Sequence, residues 1–279
     1  MFAPRRLILM SLTIAVLSGC SGTVVSPSQS ADAGSANKAS PKTPEIKLPD
    51  AAKPSQAPTI PVGGHTQASR RTALKEFGVE LAASRQLSEA RVLKLIDEAR
   101  YNPTIIRIVT PPAAGQPRVP RSWANYRGRF VEPIRINQGR AFMQQYANEL
   151  DRATKRYGVP QNIIAAIIGV ETLYGKSQGN FRVLDALASL GFDYPNPKRP
   201  DRAAMFRGQL ADLIELDLTG KLDARAIKGS YAGAIGIPQF MPGSIKRFAV
   251  SATGSNSIDL SNNMSDAIMS VANFLIEHG

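Results

Sequence analysis

The sequence predicts a mainly α-helical domain. Apolar residues recur at three- and four-residue spacings through most of the chain after residue 72, and alternating strand-like patterns are scarce. A length of 279 residues with 43% hydrophobic content is enough for a sizeable core. Order is expected to begin near Thr72, where Leu74, Phe77 and Leu81 share one helical face, followed by Val92, Leu95 and Ile96. Ser88 is a candidate cap for a helix over 89–100. A proline-rich stretch, 110–120, interrupts the pattern, and further helices are expected over 135–157, 160–173, 183–190, 202–218 and 265–278. The chain carries no internal repeat.

The first 70 residues read differently. Arg5 and Arg6 precede an apolar run over 7–17, the length of an export-signal core and short of the roughly 20 residues that a spanning helix needs. The run ends in Leu17-Ser18-Gly19-Cys20, which resembles the bacterial lipobox; cleavage before Cys20 frees its thiol for lipid attachment. Residues 1–19 are therefore expected to be a lipoprotein signal peptide. Lipid attachment also accounts for an unpaired cysteine on an exported chain. Ser21, where inner-membrane lipoproteins tend to carry aspartate, suggests the outer membrane, with the protein facing the periplasm. Residues 20–70, rich in Ser, Ala, Pro and Lys, hold too little apolar surface to offset the entropy of ordering, so they read as a disordered tether. The expected globular domain is 71–279.

A formal net charge of +12 favours anionic partners, whether nucleic acid, acidic headgroups or an acidic wall polymer. The basic residues are interleaved with acids and follow no zinc-finger or aromatic nucleic-acid-binding pattern, so nucleic acid is not expected as a partner. With His65, His278 and one cysteine, the chain has no Cys/His zinc site and no obvious histidine-dependent triad.

The residue that stands out is Glu171. It follows Ile164, Ile167 and Ile168 at spacings of seven, four and three, which puts a carboxylate on an apolar helix face. That placement is costly unless the group is paired or functional. One reading is a buried glutamate satisfied by an arginine or by backbone amides. The other is a general acid, since a carboxyl in an apolar cleft has a raised pKa and can protonate a glycosidic oxygen. Gly169 allows another element or a substrate to approach closely, while Tyr174 and Gly175 end the helix and open a loop over 176–180.

Residues 167–175 (Ile-Ile-Gly-Val-Glu-Thr-Leu-Tyr-Gly), Gly179-Asn180, 183–188 (Val-Leu-Asp-Ala-Leu-Ala), 229–236 (Gly-Ser-Tyr-Ala-Gly-Ala-Ile-Gly) and 238–242 (Pro-Gln-Phe-Met-Pro) resemble the lytic murein transglycosylase B family. Residues 123–130 and Gly158-Val159-Pro160 match it too, so the resemblance runs from about residue 72 to the end. It implies a lysozyme-like α domain with a deep substrate cleft. It also implies cleavage of the β-1,4 bond between N-acetylmuramic acid and N-acetylglucosamine, with 1,6-anhydromuramic ends and no cofactor. Glu171 would act first as acid and then as base, the substrate N-acetyl group replacing the second carboxylate of ordinary glycosidases. Ser230 and Gln239 would hydrogen-bond the sugar, Tyr126 would line the cleft, and Lys198 and Arg199 would face the peptide stem. Tyr231 is left open between packing and binding. The glycine-rich stretch 229–236 lacks the Gly-Lys-Ser/Thr ending of a phosphate loop and reads as a cleft wall.

Asp185, Asp193 and Asp259 are the candidates for a second acid, and Asp185 lies three residues from Arg182, a spacing that suits a local ion pair. Many relatives carry an acidic calcium-type loop after residue 250, whereas residues 251–259 here retain only Asp259, so no metal site is expected. Relatives also continue beyond Gly279, and the chain is expected to lack that C-terminal segment. The expected partners are peptidoglycan glycan strands, the membrane through Cys20, and other cell-wall enzymes. A hydrolytic muramidase and a weakly active peptidoglycan-binding lipoprotein stand as alternatives.

Overall fold

The computed structural model describes residues 66–111 and 122–279. The signal peptide, Cys20 and most of the tether lie outside the described residues. Thirteen elements are found there: α1 (Gln67–Arg85), α2 (Glu89–Asp97), α3 (Pro103–Val109), α4 (Trp123–Arg127), α5 (Pro133–Gln145), α6 (Ala147–Tyr157), α7 (Gln161–Thr172), β1 (Phe181–Arg182), α8 (Val183–Phe192), α9 (Pro200–Leu218), β2 (Lys228–Gly229), α10 (Pro242–Phe248) and α11 (Met264–Glu277). The mainly α expectation holds. The two strands are antiparallel, Phe181 opposite Gly229 and Arg182 opposite Lys228. No described helix is long and apolar enough to cross a membrane.

Several expected boundaries move, each for a local reason. α1 starts before residue 71, because Thr66 caps it by accepting the Ser69 N–H on its hydroxyl and Arg70 is anchored to Asp193 at 2.7 Å. The single helix expected over 135–157 is two, broken at Tyr146 (φ −109°, ψ 28°). Phe142 packs on both Tyr146 and Tyr174, and the break lets α6 turn Leu150 and Ala153 into the core. Short helices α3 and α10 were not expected; each begins on a proline, Pro103 or Pro242, where a missing N–H costs nothing. Asn102 adds a side-chain cap to α3 through the Thr104 and Ile105 N–H groups.

Two hydrophobic cores result. In one, α1, α2, α3, α8 and α9 bury Phe77, Leu95, Ile105, Leu187, Phe192 and Leu210. In the other, α5, α6, α7 and α11 bury Phe142, Leu150, Ile164, Ile168, Ile268 and Val271. The segment between β2 and α10 belongs to both: Ile235 enters the first core and Ile237 the second. The connection that was expected to form a wall is thereby held from two sides.

Candidate active site

Glu171 lies in the last turn of α7, on the face that buries Ile164 and Ile168. The helix then ends abruptly, because Leu173 (φ 51°), Tyr174 (φ 60°) and Gly175 (φ 85°) are all left-handed. Two non-glycine residues in that region store strain that surrounding contacts must hold. Thr172 supplies much of the hold. Its buried hydroxyl accepts the Gly175 N–H at 3.0 Å and donates to the Ile237 carbonyl at 2.7 Å. Tyr174 supplies the rest: its ring enters the space between α5 and α7, and its O–H donates to the Arg135 carbonyl at 3.3 Å.

The close approach expected at Gly169 is thus made by Tyr174 itself, from the same chain segment. A Cβ at Gly169 or at Gly139 would stand 2.5 Å from the Tyr174 hydroxyl oxygen. Gly139, on α5, carries the same requirement and had no sequence signal that paired it with Tyr174.

Among the described residues the Glu171 carboxyl joins no hydrogen bond or ion pair, so the reading of a glutamate satisfied by arginine or backbone amides finds no partner. Its side chain is half-buried, and burial pushes its pKa up from 4.5 to about 7. The candidates for a second acid are committed elsewhere. Asp185 pairs with Arg182 at 2.6 Å and accepts the Arg100 N–H, Asp193 pairs with Arg70, and Asp259 accepts the Ser261 and Asn262 N–H groups.

The wall facing this helix end is a tight backbone structure. Ser230 accepts the Ala234 N–H on its hydroxyl, and its own N–H donates to the Ala234 carbonyl; Ile235 and Phe240 exchange two backbone hydrogen bonds. Gln239, also left-handed at φ 53°, donates from Nε2 to the Gly236 carbonyl at 2.9 Å and the Gln178 carbonyl at 3.2 Å. Gln178 donates in turn to the Gly175 and Ser261 carbonyls. Thr172, Gln178 and Gln239 therefore bind the α7 end, the 176–180 loop and the wall into one hydrogen-bonded unit, the segments that carry Glu171, Ser230 and Gln239. Thr172 and Gln178 were not singled out from the sequence, although Thr172 adjoins Glu171 in the quoted motif.

The side chains of the remaining candidates take no part in that unit's hydrogen bonds among the described residues. Tyr231 packs half-buried against the first core, and burial pushes its phenol pKa up. Tyr126, on α4, stacks on the exposed Trp123 at 5.8 Å and contacts Phe130 at 5.2 Å. Phe130 lies under the Arg135 guanidinium, whose residue receives the Tyr174 O–H. Lys198 and Arg199 are exposed just before α9; Arg199 pairs with Asp201 at 2.8 Å, which holds the Arg199 guanidinium pKa up and the Asp201 carboxyl down. No hydrogen bond among the described residues joins them to the Glu171 unit.

The 251–259 loop is closed by protein groups. The buried Asp266 accepts the Ala252 N–H at 2.8 Å and the Asp259 N–H at 2.9 Å, and Ser251 hydrogen-bonds Thr253 and Ser255 through their hydroxyls. Among the described residues no group of three or more His, Cys, Asp or Glu side chains is arranged to hold a metal ion.

The helical domain thus carries, at the end of α7, a desolvated carboxyl that is unpaired among the described residues. The chain belongs to the transglycosylase SLT domain family (SLT_2), whose model matches residues 69–279. It is 40% identical over 193 residues to membrane-bound lytic murein transglycosylase B of Escherichia coli (strain K12), an alignment covering 69% of this chain and 51% of the relative. It is similar in structure to soluble lytic transglycosylase SltB1 from Pseudomonas aeruginosa, with a TM-score of 0.67 and 38% identity, covering 74% of this chain and 67% of that one. SltB3 from the same organism, solved in complex with NAG-NAM-pentapeptide, matches with a TM-score of 0.65 at 26% identity, covering 77% of this chain and 54% of that one. The chain spans about half the length of the curated relative it matches.

Proposed function

We propose that the protein is a peptidoglycan lytic transglycosylase. The observation that carries this reading is the Glu171 carboxyl, unpaired among the described residues and raised to a pKa of about 7 at a helix end tied to the Ser230–Gln239 wall. At that pKa it is present in both protonation states near neutrality, as a group that must first give and then take a proton requires. Glu171 protonates the glycosidic oxygen between N-acetylmuramic acid and N-acetylglucosamine, and the leaving sugar departs. The carboxylate so formed then takes the proton of the muramyl C6 hydroxyl as that oxygen closes on C1 and gives the 1,6-anhydro ring. One carboxyl serves both steps because the attacking hydroxyl is tethered to the reacting sugar.

The commitment of Asp185, Asp193 and Asp259 to other contacts supports a single-carboxyl mechanism in which the substrate N-acetyl group stabilises the developing cation. Gln239 has both carbonyl contacts on its amide nitrogen, which leaves its amide oxygen to accept from a sugar hydroxyl or N–H beside Ser230. Tyr126 offers a ring face to the glycan. Of the basic pair, Arg199 is engaged by Asp201, so Lys198 carries the contact with a stem-peptide carboxylate.

Mass spectrometry of sacculi digested with the protein tests the reaction. Anhydromuramic ends are expected. Reducing ends would replace this reading with a hydrolytic muramidase, and intact glycan would replace it with a binding protein.

The proposed organisation is a signal peptide over 1–19, a lipidated Cys20 with a linker that ends where α1 begins, and a catalytic domain to residue 279, anchored in the outer membrane and facing the periplasm. The lipobox at Cys20 and the name of the Escherichia coli relative, a membrane-bound lytic murein transglycosylase, support it. Replacement of Cys20 by serine is expected to move the protein from the membrane to the soluble periplasmic fraction. Continued sedimentation of that variant with outer membranes would dismiss lipidation as the anchor.

A further inference from the structure

We infer that Thr172 is a positioning residue for Glu171, its hydroxyl setting the place of the carboxyl by bracing the left-handed turn beside it against the Ile237 carbonyl of the wall. The inference rests on the reading of Glu171 as the acid/base and deepens it. Among the described residues the Glu171 carboxyl shares no hydrogen bond, so its position depends on the backbone that carries it. That backbone stops being helical two residues later and passes through three consecutive left-handed residues, two of them with side chains.

Thr172 is 1% exposed, and among the described residues its hydroxyl is the one side-chain group that bonds both the turn, through the Gly175 N–H, and the wall, through the Ile237 carbonyl. The Ser177 N–H adds a third tie by donating to the Thr172 carbonyl at 2.9 Å. The wall end of the brace is fixed in turn, since the Ile237 N–H donates to the Leu260 carbonyl at 2.7 Å. Removal of the hydroxyl frees the turn to relax toward less strained torsions, and the residue adjoining it in the last helical turn is Glu171.

Thr172→Val keeps the volume and removes the hydroxyl; Thr172→Ser keeps the hydroxyl. With soluble glycan oligomers, kcat of Thr172→Val is expected to fall about 10- to 100-fold, as for a catalytic group moved by a fraction of an ångström to one ångström, with KM changed little. Thr172→Ser is expected to restore most of kcat. Leu95→Val in the other core serves as a destabilised control, assayed well below the melting temperature, where kcat should stay near that of the parent protein. A kcat for Thr172→Val reduced no further than its unfolded fraction explains would overturn the inference.

Crystal structures of the parent and Thr172→Val proteins give a readout that needs no turnover. A displaced Glu171 carboxyl in the variant is expected, and an unmoved one overturns the positioning role. Failure of the parent protein to cleave glycan would instead remove the reading on which the inference rests, while the crystallographic comparison still decides the positioning itself.

Discussion

Replacement of Glu171 by glutamine is expected to lower glycan cleavage by about 10²–10⁴-fold, the usual range for loss of a general acid/base, and to make the folded protein more stable at alkaline pH. The second effect follows from the raised pKa. Burial lifts the carboxyl from 4.5 to about 7 in the fold, so the native state holds this proton more tightly than the unfolded chain does. The stabilising contribution of the protonated form is complete below about pH 4.5 and is lost as pH rises through about 7. At pH 8 the ionised carboxylate costs the fold on the order of 2–3 kcal/mol relative to a group that stays neutral. Glutamine avoids that cost at every pH. Turnover and thermal melts on one preparation at pH 5 and pH 8 check both parts: the variant should show the lowered turnover at either pH, and its gain in melting temperature over the parent protein should be much larger at pH 8 than at pH 5. Parent activity should fall away above pH 7 as the acid form is lost. Retained cleavage by a folded Glu171→Gln protein would dismiss the assignment.

Gly179→Ala is expected to be the most damaging of the small substitutions around the site. The position combines φ 92° with a Cβ that would stand 2.2 Å from the Gly229 carbonyl oxygen and 2.7 Å from the Ser230 nitrogen. Both obstacles are backbone, so no rotamer change relieves them. A loss of about 2–4 kcal/mol is expected, a fall in melting temperature of roughly 5–15 °C for a domain of this size. The strain falls on the β1–β2 pair and on Ser230, so activity should drop beyond what the unfolded fraction explains. Gly208→Ala on α9 is the matched control: nothing lies within 4 Å of its Cβ and its torsions are helical, so it should melt at or slightly above the parent temperature. Melts within a degree of one another for the two variants would refute the close contact at Gly179.

The long helices were legible because each buries an apolar stripe that the periodicity displays; α7, α8, α9 and α11 lie within two residues of expectation. Glu171 was legible for the same reason, as a carboxylate interrupting an isoleucine face. Helices α3, α4 and α10, of seven, five and seven residues, are too short to show a period. The break at Tyr146 has no proline or glycine to announce it; it sits beside the Phe142–Tyr174 contact, between residues 32 positions apart. Distance in sequence also hid the braces of the site. Gln178 is an ordinary polar residue, and Gln239 a sugar contact by resemblance alone, until the fold sets the Gln239 amide on the Gln178 carbonyl across 61 positions. The start of α1 at Gln67 was missed because composition there continues that of the linker, whereas the Thr66 cap and the Arg70–Asp193 pair decide where order begins.

The Tyr174 ring, lodged against both Gly139 and Gly169, ties three positions into one unit of evolutionary change. Alanine at either glycine meets the phenol and crowds the site while that ring remains. Once residue 174 becomes small, the vacated space accommodates the same alanines, and a methyl group there now fills a void instead of forcing a clash. The effect of each glycine substitution thus changes sign with the residue at 174. A change at 174 therefore has to come before either alanine if the crowding is to be avoided.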